Sequence, residues 1–562
     1  MSDRLPTLQQ CLLDADPARL EVIARRWQVD ELPPRRGDAA ALLAARLQTP
    51  GLLEEVWETL STDEQQALSA LRATAGIAWP TFTRRWGEVR AMGPGRLARE
   101  RPWEAPISPA ESLWYWGLLF RVVVEGPQQF FEAAFLPREL ADHLPALPPA
   151  AVTLPPTDEP PVCRPADDTL LDDACTLLAH IHNHPLRPAW SPPDDAALTR
   201  RLRVPDPARL AFLYHLVNRL GWLRSDRPDR LRLDPRTTEW LQADTPTQRS
   251  VLAGAWRDDP TWNDLWHVPG LQPEETGSWS NDPLQTRRAL LGHFSRLLST
   301  GWHRLADVVA AIKEQDPDFQ RPDGDYATWY IRDAQSGAYL SGFDCWDAVE
   351  GALIRYLLSG PMAWLGLVEL GFEAGWTEPL AVRLSNAGAA FLGLAAAAET
   401  APERPTLILR PDMTVLAPAA LRHERFQLSR VADWVRSGDP YLYRLTPASL
   451  ERARQQRIGV EEVLRFLERA TAAPVPPLVR TALLRWAERG AEVRLEQGIL
   501  LRTSSATLLQ ELLAAPATRP LIGQVLGPQT ALVPAAHWPR LAHALVERGL
   551  LPDVHIEEEY ED

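Results

Sequence analysis

The sequence predicts a multidomain α+β protein that is mostly helical. The chain has 562 residues, which is longer than one hydrophobic core usually organises. Apolar residues recur mainly at helical spacing, and short apolar runs typical of strands follow groups of helices. Prolines concentrate between residues 145 and 165, and this density indicates an extended linker between domains.

Residues 60–140 have the order of a winged helix, three helices followed by a β-hairpin. Ser61-Thr62-Asp63-Glu64 has the form of a capping box and predicts a helix through Leu71. The remaining elements are predicted as helices over 79–86 and 112–119, separated by an arginine-rich loop, and strands over 120–124 and 130–136.

Similar orders of elements recur twice. The second group has helices over 170–182 and 207–220 and strands over 222–224 and 230–233. The third has helices over 285–298, 304–315 and 346–358 and a strand over 380–384. We therefore expect two or three winged-helix-like units. They share no residue-by-residue period, so they are not sequence repeats.

The final predicted domain begins near Thr406 with an apolar strand, and Thr446 caps a helix whose first residue is Pro447. The predicted organisation is a helical N-terminal segment (1–59), a winged-helix-like domain (60–140), a proline-rich linker (141–166), a second winged-helix-like domain (167–245), a helical or winged-helix-like domain (246–400), an α+β domain (401–554) and an acidic tail (555–562).

Composition narrows the class of protein. The sequence is 45% hydrophobic and 24% charged, which is ordinary for a globular protein. It has no run of about 18 uncharged apolar residues and no signal-peptide pattern at its start, so we expect no membrane span and a cytoplasmic location. Four scattered cysteines do not suggest a disulfide scaffold.

Lys313 is the only lysine in the sequence. A P-loop needs a lysine directly after a glycine to reach the nucleotide phosphates. Lys313 instead lies in Ala310-Ala311-Ile312-Lys313, which is predicted to be helical. Walker-type ATPase, protein kinase and Schiff-base chemistry are therefore disfavoured, and we expect a non-enzymatic protein without a cofactor.

The net charge of −15 is distributed unevenly. Residues 401–552 contain 20 arginines against 14 acidic residues, and Asp553 and the acidic tail offset this surplus. Local charge matters more than the total for nucleic-acid binding.

The candidate nucleic-acid contacts are arginines, because guanidinium groups bind phosphate in a bidentate fork. Trp86 and Trp103 lie beside the first group and are candidates for stacking on bases. The alternatives are a solvated loop with two core tryptophans in the first group and pairing with nearby glutamates in the second. The first group is Arg84, Arg85, Arg90, Arg96, Arg99 and Arg101, and the second, expected on one helix, is Arg452, Arg454 and Arg457.

Metal chemistry is disfavoured by spacing. The spacing of Cys175, His180, His182 and His184 fits no standard zinc pattern. Asp172 and Asp173, like Asp258 and Asp259, have the carboxylates that a nuclease needs, but adjacent residues point apart on a helix and no third ligand is evident.

Residues 406–554 resemble the N-terminal accessory module of XPB-type DNA helicases. The resemblance rests first on Arg410-Pro411-Asp412, a turn after a strand, and on Tyr443-Arg444-Leu445-Thr446. It also rests on two helical motifs and the break that follows them: Ser449-Leu450-x-x-Ala453, Val463-Leu464-x-Phe466-Leu467 and Pro474–Pro477. The upstream motifs Met92-Gly93-Pro94-Gly95-Arg96 and Ser112-Leu113-Trp114-Tyr115 are similar to bacterial helicase-associated proteins.

The resemblance implies a non-catalytic DNA-binding protein that assists a separate helicase in DNA repair or a related DNA transaction. Its expected partners are DNA and that helicase. The helicase motor motifs are missing from these 562 residues, so the resemblance implies no unwinding activity here. The alternatives are a winged-helix scaffold or transcription regulator that binds only proteins, and an enzyme with an unrecognised site.

Overall fold

The computed structural model describes residues 6–49, 51–74, 76–125, 130–145, 154–227, 230–274, 279–321, 323–394, 405–490, 492 and 498–555. About 51% of the chain is helical and 14% is strand, in several small sheets, which confirms the predicted α+β, mostly helical fold class. The chain forms two compact units. The first comprises residues 1–408, 414–444 and 470–472, and the second comprises 409–413, 445–469 and 473–562.

The first unit begins with four short amphipathic helices. Thr7 and Gln10 form a capping box at the start of the first one. Their apolar faces, with Leu12, Ile23 and Leu43 fully or almost fully buried, form a common core with the elements that follow. The helices are α1 (Leu8–Asp14), α2 (Pro17–Arg26), α3 (Arg36–Leu47) and α4 (Leu52–Thr59).

The next elements are four helices, with a short strand among them, then a hairpin and a final short helix. The predicted capping box is confirmed: Ser61 Oγ accepts from the Glu64 amide, and the Glu64 carboxylate accepts from the Ser61 amide. The three strands are antiparallel in the order β1–β3–β2. The elements are α5 (Thr62–Ala73), β1 (Ile77–Ala78), α6 (Trp79–Trp86), α7 (Pro94–Glu100), α8 (Pro109–Trp116), β2 (Phe120–Glu125), β3 (Phe130–Phe135) and α9 (Arg138–Ala141).

The prediction of an arginine-rich loop between the second and third helices is wrong over Pro94–Glu100, which forms α7. Pro94 occupies the first turn, where its fixed φ suits a helix, and Arg101 ends the helix in the left-handed conformation. This helix has seven residues and its one buried residue is Leu97, so the sequence has no apolar periodicity that would predict it.

The central elements begin inside the predicted proline-rich linker, since β4 pairs with a later strand. Residues 146–153 of that linker lie outside the described residues. The elements are β4 (Val162–Arg164), α10 (Thr169–Asn183), α11 (Ala196–Thr199), α12 (Pro207–Arg219), β5 (Leu223–Arg227), β6 (Arg230–Leu233), α13 (Arg236–Gln242) and α14 (Thr245–Arg257).

Apart from α7 in the first group and β7 and β9 in the third, the first and third groups share one order of helices and strands. Its sheet has the order β4–β10–β11–β8, so β8, β11 and β10 lie in the same relative order as β1, β3 and β2. The elements are β7 (Leu271–Pro273), α15 (Pro283–Leu297), β8 (His303–Arg304), α16 (Leu305–Gln315), β9 (Ile331–Asp333), α17 (Trp346–Leu357), β10 (Val368–Phe372), β11 (Ala381–Leu384) and α18 (Asn386–Phe391).

The segment 414–444 completes the first unit. Strand β15 pairs with β13 on one side and with β14 on the other. The alternation of Tyr441 and Tyr443 predicts that they share one face of the strand, exposed or buried, and the structure shows that this face is buried. Phe426 of α19 joins the core formed by residues 170–384. The elements are β12 (Ile408–Leu409), β13 (Thr414–Ala417), α19 (Arg422–Val431), β14 (Asp433–Arg436) and β15 (Tyr441–Arg444).

The second unit contains helices and one three-stranded sheet, in the order β16–β18–β17. Thr446 caps α20 and Pro447 is its first residue, as predicted. The sequence also predicts a strand over 491–495; of this range only Glu492 is among the described residues, and the acidic tail from residue 556 lies outside them. The elements are α20 (Pro447–Gln455), α21 (Val460–Thr471), α22 (Pro477–Arg489), β16 (Gly498–Arg502), α23 (Ala506–Ala514), β17 (Val525–Gly527), β18 (Thr530–Pro534) and α24 (Trp538–Glu547).

Candidate nucleic-acid interface

Arg84 and Arg85 lie on α6 and contact the residues that follow α16. The Arg84 guanidinium is 3.2 Å from Asp318 Oδ1 and lies over the Phe343 ring at 4.2 Å. Arg85 Nη1 donates to the Gln315 carbonyl at 3.4 Å. Thr81 also donates to the Asp318 carboxylate. The exposed end of α6 is therefore joined to the third group of elements through this carboxylate.

Arg90 holds a completely buried carboxylate. Its Nε and Nη2 atoms donate to Glu111 at 2.8 and 2.6 Å, and the amide of Ile107 adds a bond of 2.9 Å. Burial opposes ionisation of Glu111, but the hydrogen bonds from Arg90 and Ile107 outweigh it, and the pKa of Glu111 lies below its usual value. Arg90 thus stabilises the start of α8.

Arg96, Arg99 and Arg101 are exposed, and each has a carboxylate partner. Arg96 and Arg99 both contact Glu100, at 2.9 and 3.4 Å, and Arg101 contacts Glu104 at 3.3 Å. Such exposed pairs are weak, so a phosphate can displace these carboxylates.

The two tryptophans beside this group are core residues. Trp86 is 6% exposed and packs on Phe82 with ring centroids 4.7 Å apart. Trp103 is partly buried against Tyr115, at 6.3 Å. The structure shows the core role that the sequence offered as the alternative to stacking on bases.

The second group of arginines lies in the second unit. Arg452 and Arg454 are on α20, but the expectation that Arg457 shares this helix is wrong, because α20 ends at Gln455 and Arg457 has a φ of 62°. Arg454 makes two bonds to Glu451, at 2.9 and 2.8 Å. The structure does not bring these three side chains onto one helical face.

The helix that precedes the hairpin in the first and third groups, α8 and α17, is largely covered. In α8 every residue is buried or partly buried. Arg19 of α2 crosses it: its guanidinium lies 3.4 Å from the Trp114 ring centroid and donates to the carbonyls of Trp114 and Leu119. In α17 the exposed side chains are Asp347, Ala348 and Arg355. Neither helix offers a basic face to a DNA groove.

Sequence reasoning missed a buried ionic network in the first unit. Asp172 of α10 accepts from Arg422 Nε at 2.9 Å and from Arg425 Nη1 at 3.4 Å. Arg422 also donates to Gln248 and Thr245, both at 3.0 Å. The three charged side chains are at most 4% exposed. The partners are about 250 residues apart, so no local pattern signals them.

Arg425 extends this network to the sheet. Its guanidinium lies 3.4 Å from the centroid of the Tyr441 ring. Cys175, one turn along α10 from Asp172, donates from Sγ to the Arg422 carbonyl at 3.1 Å. Segment 414–444 is therefore fixed on α10 by charge as well as by apolar packing.

The remaining candidate groups have structural partners. Asp173 pairs with Arg209. His180 Nε2 is 3.0 Å from Asp195 Oδ2, and its ring stacks on His184 at 4.1 Å. In the described part of the chain, no group of three or more His, Cys, Asp or Glu residues is arranged to hold a metal ion. No described helix is long and apolar enough to cross a membrane.

Residues 407–526 match a family model described as a helicase conserved C-terminal domain. The chain is thus similar to helicase-related proteins over this segment, which supports a helicase-related role. No curated protein matches the chain. Residues 414–444 of the matched segment belong to the first unit and carry Arg422 and Arg425.

Proposed function

We propose that the protein is a non-catalytic accessory factor that binds DNA and supports a separate helicase. The observation that carries the proposal is the helicase-type match over residues 407–526 in a sequence whose only lysine cannot serve a P-loop. Lys313 lies on α16, and its ammonium group is 2.6 Å from Asp347 Oδ2. No glycine-rich phosphate loop leads into it.

We further infer that residues 406–554 correspond to the accessory module of XPB-type helicases, which the motifs around Arg410-Pro411-Asp412 and Thr446-Pro447 support. We also infer that the first and third groups are winged helices. Their shared order of helices and their sheet orders, β1–β3–β2 and β8–β11–β10, support this. Because α8 and α17 are covered, we expect the hairpins and exposed arginines of these winged-helix units to make the contacts with DNA.

The proposal is tested by measuring binding of the full-length protein to single-stranded, duplex and forked DNA, alone and with an ATP-driven DNA helicase from the same cells. If arginines contact phosphates, the logarithm of the binding constant falls linearly with the logarithm of the salt concentration. We expect a negative slope for at least one DNA form. Absence of binding to all three forms, with and without the helicase, contradicts the proposal.

A second candidate function, a protein-interaction scaffold, is favoured by Trp376. All 22 tryptophans lie among the described residues, and Trp376, in the turn between β10 and β11, is the only exposed one, at 64%. Glu373 and Glu378 flank it and are exposed. Exposed tryptophans are frequent anchors at protein interfaces, and the two carboxylates disfavour a polyanion.

Trp376→Ala tests this candidate in a binding titration against the same helicase. If the tryptophan anchors the complex, affinity falls by at least about 30-fold, the equivalent of a hot-spot residue. Phe130→Ala is the matched control, because Phe130 is 71% exposed at the tip of a different hairpin. Equal affinities for the wild type and both variants contradict the scaffold role of Trp376.

A further inference from the structure

Hairpin β5–β6 separates its residues into an apolar face and a basic face. Leu231 is 7% exposed in the core, and Leu223 and Leu233 pack against the same core. The register places Leu223 opposite Leu233 and Arg224 opposite Arg232. Side chains alternate along a strand, so Arg224, Arg230 and Arg232 point away from the core. These three residues are called the arginine face below.

The three guanidinium groups on the arginine face differ in their partners. Arg230 and Arg232 are exposed, and neither makes a side-chain hydrogen bond or ion pair with a residue that the structure describes. Arg224 pairs with Asp234, which is 1% exposed and also accepts from Arg236 Nε at 3.0 Å. Like charges directly opposite on two strands destabilise a hairpin, so folding alone does not favour Arg224 opposite Arg232.

A further cation lies at the base of the hairpin. The Leu231 amide donates to the Leu186 carbonyl at 2.8 Å, which fixes the neighbouring Arg187 beside β6. Arg187 is exposed, and its side chain has no partner among the described residues. Counting every charge in residues 222–236, five arginines face three aspartates, a positive balance in a chain whose net charge is −15.

Two other hairpins, β2–β3 and β10–β11, differ from β5–β6 in chemistry. On β2–β3, Arg121 pairs with Glu132, and the exposed side chains include Val123 and Phe130. The turn between β10 and β11 has Trp376 between two glutamates. The arginines of α7 have carboxylate partners. Among these surfaces, the arginine face offers exposed guanidinium groups that have no carboxylate partner among the described residues, so none of those carboxylates has to be displaced by a phosphate.

We propose that the arginine face of hairpin β5–β6, with Arg187 beside it, binds the phosphodiester backbone of DNA. Arg230 and Arg232 are two residues apart, about 6.6 Å along the strand, so each can form a bidentate contact with a separate phosphate. The contact carries no base specificity. This inference rests on the proposed function, DNA binding, and identifies the residues that contact the DNA backbone.

The test compares the full-length protein with the Arg230→Gln/Arg232→Gln variant in fluorescence anisotropy titrations with single-stranded, duplex and forked DNA between 50 and 200 mM salt. Each lost phosphate contact lowers the slope of log K against log salt by about 0.9 for duplex DNA. The variant should therefore show a slope smaller by about 1.8. Between 50 and 200 mM salt, the wild type should therefore lose about 12-fold more affinity than the variant loses.

The matched control is Arg138→Gln/Arg257→Gln, which removes two exposed arginines that pair with Asp142 and Asp258. Its slope should equal that of the wild type. Arg230→Lys/Arg232→Lys keeps the charge, so its slope should also be retained while the affinity falls with loss of the bidentate geometry. This variant also serves if the glutamine pair does not fold.

The outcomes separate the two proposals. If the wild type binds DNA and the glutamine variant keeps its full slope, or the control loses as much, the assignment to the arginine face is wrong and the proposed function stands. If the wild type binds none of the three DNA forms, with or without the helicase, the proposed function fails and the hairpin assignment fails with it.

Discussion

Replacing Asp172 by asparagine tests whether the buried ionic network fixes segment 414–444 in the first unit. The change keeps the size of the side chain and removes the charge that faces Arg422 and Arg425, both 1% exposed. Arg422 keeps its bonds to Thr245 and Gln248 and its ion pair with Asp168 at 3.6 Å. Buried Arg425 loses the carboxylate that faces it at 3.4 Å. Leaving a buried charge unpaired costs about 3–5 kcal/mol.

A loss of this size raises the unfolding equilibrium constant by about 150- to 5000-fold, since about 1.4 kcal/mol corresponds to a factor of ten. Urea unfolding followed by tryptophan fluorescence measures the free energy, and hydrogen exchange of α19 amides shows whether the loss is local. Asp258→Asn is the control, because Asp258 and Arg257 form an exposed pair and surface pairs contribute about 0–1 kcal/mol.

The reasoning is refuted if Asp172→Asn unfolds with a free energy within about 1 kcal/mol of the wild type and α19 exchanges no faster. Segment 414–444 would then be held by apolar packing alone. Equal losses in Asp172→Asn and Asp258→Asn would also refute it, because they would show no advantage of the buried pair.

Three further predictions concern stability. Burial and the nearby His184 lower the pKa of His180 to about 4, so below pH about 6.5 the unfolded state binds more protons than the folded state. The free energy of unfolding should therefore fall by up to about 3 kcal/mol between pH 6.5 and 4. In urea titrations, His180→Gln should reduce this pH dependence, and His543→Gln, at an exposed site, should not. Arg84→Gln should lower the unfolding free energy by about 1–3 kcal/mol, because it removes a partner from buried Asp318, and an unchanged urea midpoint would contradict the contact. Ser61→Ala should cost about 1 kcal/mol through loss of the α5 cap, measured the same way, whereas Ser61→Asp should retain stability.

The parts of the fold that the sequence predicted are those with local signals. Ser61 and Glu64 are three residues apart and cap α5, and Thr446 and Pro447 are adjacent and start α20. The alternation of Tyr441 and Tyr443 needs only the period of a strand. In each case the residues that determine the start of the helix, or the face of the strand, lie within one helical turn or one strand of each other.

The parts that the sequence did not predict depend on residues far apart in the chain. Arg84 was a candidate phosphate ligand, but its contact with Asp318 spans 234 positions. Arg90 could not be connected to Glu111 before the fold placed α8 beside it. Arg230 and Arg232 looked like ordinary strand residues, although the alternation Arg-Leu-Arg-Leu over 230–233 already placed two arginines on one face.

The most direct test of the central claim is a forked-DNA unwinding assay with an ATP-driven DNA helicase from the same cells. The account predicts that the protein alone neither hydrolyses ATP nor unwinds the fork, and that adding it increases the rate or extent of unwinding by the helicase. Nucleotide hydrolysis by the purified protein, or unwinding by the helicase that is the same with and without it, would contradict the account.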